Sequence, residues 1–151
     1  MKTLARPRDK AEILGRLKAI RPESVRRWGR MSAHQMVCHL ADSFRMALGK
    51  PMKQTGGPYQ RTIVKWIALY SPLPWPPGLV TSPEIDQEEE GTRPADFAED
   101  VAQVEALLDL VTAPTRKLAG RPHPVFGSMS DAAWLRWGYL HTSHHLRQFG
   151  A

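Results

Sequence analysis

One cysteine, Cys38, stands in 151 residues, so no internal disulfide can form and the core must hold without covalent staples. Long apolar runs are missing too. The most hydrophobic stretch, Ile63 to Tyr70, is broken by Lys65 and stops at Ser71-Pro72. A bilayer crossing needs about 20 apolar residues, so no membrane partner is expected. Met1 to Arg8 carries charges with no apolar segment behind it, which predicts no secretory leader. There is no internal repeat and no low-complexity tract. Gly56-Gly57 lacks the rest of any phosphate-binding motif and reads as a turn. A reducing, cytoplasmic setting fits these absences. The length suits one domain spanning 1–151, large enough to bury a core unaided.

Charge is present but uneven. The net of +6 hides a basic opening, residues 1–30 at +7, and an acidic stretch, residues 84–109 at −9. A nucleic-acid binder would add a groove-reading helix or an aromatic stacking platform. Neither is visible, so the charges read as a solvated surface and no nucleic acid is expected. The asymmetry also suggests a way for two chains to meet, the basic first helix against the acidic stretch.

Periodicity predicts an all-α chain of four main helices. The first spans about Asp9 to Ile20, with Ile13, Leu14, Leu17 and Ile20 on one stripe, and is closed by Arg21-Pro22. The second opens at Ser32, where Ser32 and Gln35 have capping-box spacing, and carries Met36, Leu40, Phe44 and Ala47 inward. Gly49 and Pro51 close it. Residues 50–93 form a long crossover with a short helix at Arg61–Tyr70 and an extended, proline-rich run after it. A long connection of this kind lets successive helices run parallel, and it is a candidate wall for a site. The third main helix runs from about Ala95 to Val111, with Asp96 and Glu99 suiting its dipole and Val101, Val104, Leu108 and Val111 as its seam. The last runs from Asp131 to about Phe149, capped by Ser130.

Five of the six histidines fall on two of these helices. Each helical residue advances by about 100°, so His141 and His145 point within about 40° of each other. Trp134, Trp137 and Gln148 share their face, and the aromatics suggest that it looks inward. Buried imidazoles need partners, and one metal ion satisfies several at once. His144 is also within reach of such a site, and spacing alone does not choose between it and His145. On the second helix His39 lies at the edge of the apolar stripe, whereas His34 falls in an exposed first turn about 140° away. Asp42, three residues after His39, could touch the same site. Cys38 points about 100° from His39 and reads as core. Trp134 and Trp137 read as packing, His123 as either a cap on the site or a shaper of its turn, and Glu88-Glu89-Glu90 as a solvated run.

Three segments then look familiar. Trp28-Gly29-Arg30-Met31-Ser32-Ala33-His34-Gln35-Met36-Val37-Cys38-His39-Leu40 resembles the second-helix motif of the DinB-like superfamily. His141-Thr142-Ser143-His144-His145-Leu146-Arg147-Gln148-Phe149-Gly150 resembles its last-helix motif. His123-Pro124-Val125-Phe126-Gly127 narrows the resemblance to the subgroup called domain of unknown function 1569. The resemblance implies a DinB-like four-helix bundle with a long crossover between the second and third helices. It also implies a divalent metal held by His39, His141 and His145. His145 is preferred to His144 because the family's ligand stands three residues before the motif glutamine, here Gln148. Members are often homodimers.

Characterised relatives include thiol-dependent transferases and isomerases, while the subgroup has no established reaction. Three imidazoles leave coordination positions open, as at reactive rather than structural sites. Zinc and nickel are the first choices for such donors, and iron and copper also accept imidazole. The leading expectation is a metal-dependent enzyme that activates a low-molecular-weight thiol against an electrophilic small molecule. The alternative is a non-catalytic helical binding or stress-response module that keeps the metal site. No general base stands out; Asp42 and His144 qualify by spacing only.

Overall fold

The computed structural model describes residues 1–151, and its regular structure is entirely helical. In order these are α1 (Pro7–Lys18), α2 (Ala33–Ala47), α3 (Lys65–Tyr70), α4 (Phe97–Thr112) and α5 (Asp131–Gln148). A π-helical turn, Gln60–Val64, leads into α3, and a 3-10 turn, Pro83–Ile85, precedes α4. No helix is long and apolar enough to cross a membrane.

Local signals explain most boundaries. Pro7 occupies the first turn of α1, where a missing N–H costs nothing. That helix stops at Lys18, ahead of Arg21-Pro22, because the N–H groups of Ala19 and Ile20 turn back to the carbonyls of Arg16 and Leu17. Ser32 caps α2 with the full capping box: its hydroxyl accepts from the Gln35 N–H at 3.1 Å, and the Gln35 side chain accepts from the Ser32 N–H at 2.8 Å. Asp96 and Ser130 cap α4 and α5 with one side-chain bond each, accepting from the Glu99 N–H and the Ala133 N–H.

The four long helices pack in neighbouring pairs, α1 with α5, α5 with α2, α2 with α4, and α4 with α1. Ile13 and Leu17, Met36 and Leu40, Val104 and Leu108, and Trp134 and Leu146 close the core between them with almost no exposure. The cations of α1 meet the acids of α4 inside one chain: Lys10 lies 2.6 Å from Asp109 and Lys18 lies 3.6 Å from Glu105. Two pairs of the opposed charges thus also meet within a single chain.

The connection between α2 and α4 is pinned at Asp42. This fully buried carboxylate accepts from the Thr92 N–H at 2.7 Å, the Thr92 hydroxyl at 2.9 Å and the Gln87 amide at 3.2 Å. Arg45 and Lys50 add charge partners at 3.0 and 3.4 Å. Burial pushes the Asp42 carboxyl up, but these bonds outweigh it and hold it below the usual carboxylate range. Asp42 is therefore an anchor for the crossover and not a member of the histidine cluster. The loop before α5 meets the other end of the crossover. Gly56 lies against it so closely that an added Cβ would sit 1.8 Å from the Val125 carbonyl oxygen.

Candidate metal centre

α2 and α5 bring His39, His141 and His145 together. One ring nitrogen from each lies within 4.8 Å of the others. His39 Nε2 faces His141 Nε2 at 3.2 Å, and the His39 and His145 rings stand 4.6 Å apart, centroid to centroid. His39 is almost wholly buried, whereas His141 and His145 keep some exposure.

The outer contacts of these rings decide which nitrogens carry protons. His39 Nδ1 lies 2.8 Å from the Ile85 carbonyl oxygen, which can only accept, so Nδ1 holds the hydrogen. The neutral ring then turns a lone pair at Nε2 toward its neighbours. His145 follows the same logic through Gln148. The Gln148 amide nitrogen donates to the Trp28 carbonyl at 2.7 Å, which fixes the amide's orientation. Its oxygen must then be the atom 3.1 Å from His145 Nδ1, so Nδ1 donates and Nε2 is again left as a lone pair. His141 is held by stacking: the Trp137 ring lies over it at 4.6 Å and 16°.

Burial, reinforced by the other imidazoles, drives His141 well below the ordinary histidine value. Burial and the nearby His39 ring do the same to His145. Burial also lowers His39, against the raising effect of its bond to Ile85. Three neutral imidazoles in contact are unfavourable to further protons yet rich in lone pairs. Such a donor set suits a borderline or soft divalent cation.

His144 faces elsewhere. Its ring packs near Trp28 and Trp75, at 5.9 and 6.2 Å, and its Nδ1 is buried without a hydrogen-bond partner. His123 shapes its turn: Nδ1 accepts from the N–H groups of Val125 and Phe126, each at 3.2 Å, while the ring stacks on Phe126. Burial lowers its pKa to about 3. Its ring also meets Trp134 and Trp137, so it supports the wall behind His141. His34, expected in an exposed turn, is half-buried and lies 2.7 Å from Asp100 of α4. Glu89 and Glu90 are exposed as expected, and Glu88 pairs with Arg30 at 3.1 Å.

A crevice of about 410 Å³ opens beside His145, with Trp28, Arg30, Leu79, Val80 and Gln148 among its walls. That volume suits a small molecule. Asp86, which also lines it, is ion-paired with Arg30. Gly29 forms part of the rim in a left-handed conformation, φ +76°, and a Cβ there would meet the Gln148 amide nitrogen at 2.4 Å.

Residues that periodicity did not single out complete the cluster. The Ile85 and Trp28 carbonyls come from irregular segments and carry no side-chain signature. Gln148 shares the inward face of α5, but its bond to His145 required the tertiary placement of Trp28.

No curated protein and no solved structure matches the chain. A family model does, across residues 6–151, and on that match the chain belongs to the family described as protein of unknown function (DUF1569).

Proposed function

We propose that His39, His141 and His145 bind one divalent metal ion, zinc or nickel, in a single-domain, DinB-like four-helix bundle with a long crossover. The observation that carries this reading is the pair of outer hydrogen bonds. Ile85 and Gln148 each take the Nδ1 hydrogen of a histidine, which leaves each Nε2 as a lone-pair donor in a cluster where one nitrogen from each of the three rings lies within 4.8 Å of the others. Outer partners of this kind accompany metal-binding histidines generally, because they set the tautomer and strengthen the donor.

Three protein donors suit a reactive centre better than a closed structural one. The leading activity is transfer of a low-molecular-weight thiol to an electrophilic small molecule. When bound, the ion would supply positive charge that favours a thiol's anion at neutral pH. The chain's own residues would do the rest. The crevice wall at Trp28 would flank the reacting groups, and Gln148 would hold His145 in register. Asp42 takes no part as a base, because its oxygens are committed to Thr92, Gln87, Arg45 and Lys50.

Metal analysis of untagged protein tests the centre, with one ion per chain as the expected result. Thiol consumption across a panel of electrophiles then tests the activity. A loaded protein that turns over none of them would favour the alternative, a non-catalytic binding or stress-response module.

A homodimer is proposed with it, on different grounds from the charge asymmetry. Tyr59, Ile63, Trp66, Ile67 and Tyr70 recur at helical spacing along the π turn and α3, and all are exposed. A contiguous apolar face of this kind is uncommon on a monomer. Light scattering at micromolar concentration should give twice the chain mass; a monomer would end this part of the reading.

A further inference from the structure

Away from the three histidines, α2 carries another donor set on the side that faces α4. His34 and Cys38 are four residues apart and share that side. Asp100, in the first turn of α4, reaches both: its Oδ2 lies 2.7 Å from His34 Nε2 and 3.6 Å from Cys38 Sγ. Donor atoms from all three residues lie within 4.8 Å of one another. Cys38 closes the inner side, while His34 and Asp100 are half-buried and leave a path from solvent.

An imidazole, a thiol and a carboxylate are the three side-chain types that bind zinc. With bonds of about 2.0–2.3 Å, tetrahedral donors stand about 3–4 Å apart. The His34–Asp100 and Cys38–Asp100 separations, 2.7 and 3.6 Å, lie in that range or within a few tenths of an ångström of it, and the His34–Cys38 pair lies within 4.8 Å. We propose that His34, Cys38 and Asp100 form a second metal site, selective for a thiophilic divalent ion such as zinc and independent of the three-histidine centre. On binding, the Cys38 Sγ proton leaves to solvent. The hydrogen that His34 Nε2 donates to Asp100 moves to Nδ1 by way of solvent, so that Nε2 offers its lone pair and Asp100 offers a carboxylate oxygen. Water takes the remaining position. The ion would join α2 to α4, a helix pair already in extensive contact.

Cobalt(II) is the probe, because a cobalt–thiolate bond gives a near-ultraviolet charge-transfer band that imidazole donors do not. The chain has one cysteine, so in reduced protein that band reports Cys38 alone. The intact protein should show the band on titration with cobalt. It should vanish in Cys38→Ser and need at least about tenfold more cobalt in His34→Ala and Asp100→Asn. His141→Ala should keep it, so the test stands even where the three-histidine reading fails. Absence of the band from folded, reduced wild-type protein in cobalt excess overturns the proposal, and this arm needs no variant to fold. A band unchanged in both His34→Ala and Asp100→Asn overturns it as well, and would mark Asp100 as only a hydrogen-bond hub, already accepting from the Ala95 N–H.

Discussion

Replacing Gln148 with methionine keeps the length and volume of the side chain while removing both of its hydrogen bonds. Each bond is worth about 0.5–1.5 kcal/mol net, so the two together are worth about 1–3 kcal/mol. A loss of about 2 kcal/mol follows, which for a chain of this size lowers Tm by about 4–8 °C. Metal affinity should fall separately. Without the Gln148 oxygen, His145 Nδ1 loses the acceptor that fixes its tautomer, and losses of this type cost about 10–100-fold. Gln148→Glu separates the two effects. A carboxylate still accepts from His145 but cannot donate to the Trp28 carbonyl, so stability should drop while affinity holds. Zinc affinity is read by competition with a chromophoric chelator, and stability by thermal melting of the metal-free proteins. A methionine variant that melts early yet binds zinc as tightly as wild type would refute the tautomer argument.

His145→Ala should sharply weaken metal binding while His144→Ala leaves it largely intact; chelator competition on the two variants decides, and equal affinity in His145→Ala and wild type sinks the assignment. Stability should also fall in mild acid. His39, His123, His141 and His145 have folded pKa values below the ordinary 6.5, so the unfolded chain binds protons more readily. Their contribution is present above about pH 6.5 and is lost as pH drops through the lowered folded values, for His123 about 3. Melting curves of metal-free protein from about pH 8 to pH 5 should show this decline, and a flat profile would contradict it. Gly56→Ala should cost about 3 kcal/mol in a urea titration, because its Cβ would press on the backbone at Val125 and not on a movable side chain.

Features that depend on a helix's own sequence were readable in advance. Ser32 and Gln35 announced the start of α2, and the stripe of Met36, Leu40 and Phe44 announced its buried face. The four-residue step from His141 to His145 likewise needs only helix geometry. Contacts that cross from the irregular segments were not readable. Asp42 was expected near His39 by spacing, but the crossover arrives with Thr92 and Gln87 and claims it. His34 was expected in water, but α4 presents Asp100 to it. The choice of His145 over His144 lay beyond periodicity. Its physical counterpart is a hydrogen bond to Gln148, three residues on, that only one of the two rings makes.

Ile85 belongs to the crossover, and its carbonyl holds the ring of His39 from across 46 positions of sequence. His141 and His145 come from more than a hundred residues beyond His39. The cluster therefore has no local precursor: a chain emerging from the ribosome cannot assemble it until α5 has been made and the crossover has docked on Asp42. Fragments ending before α5 should hold no ion at this centre, and an ion that enters it would do so late, closing the longest loops of the fold last.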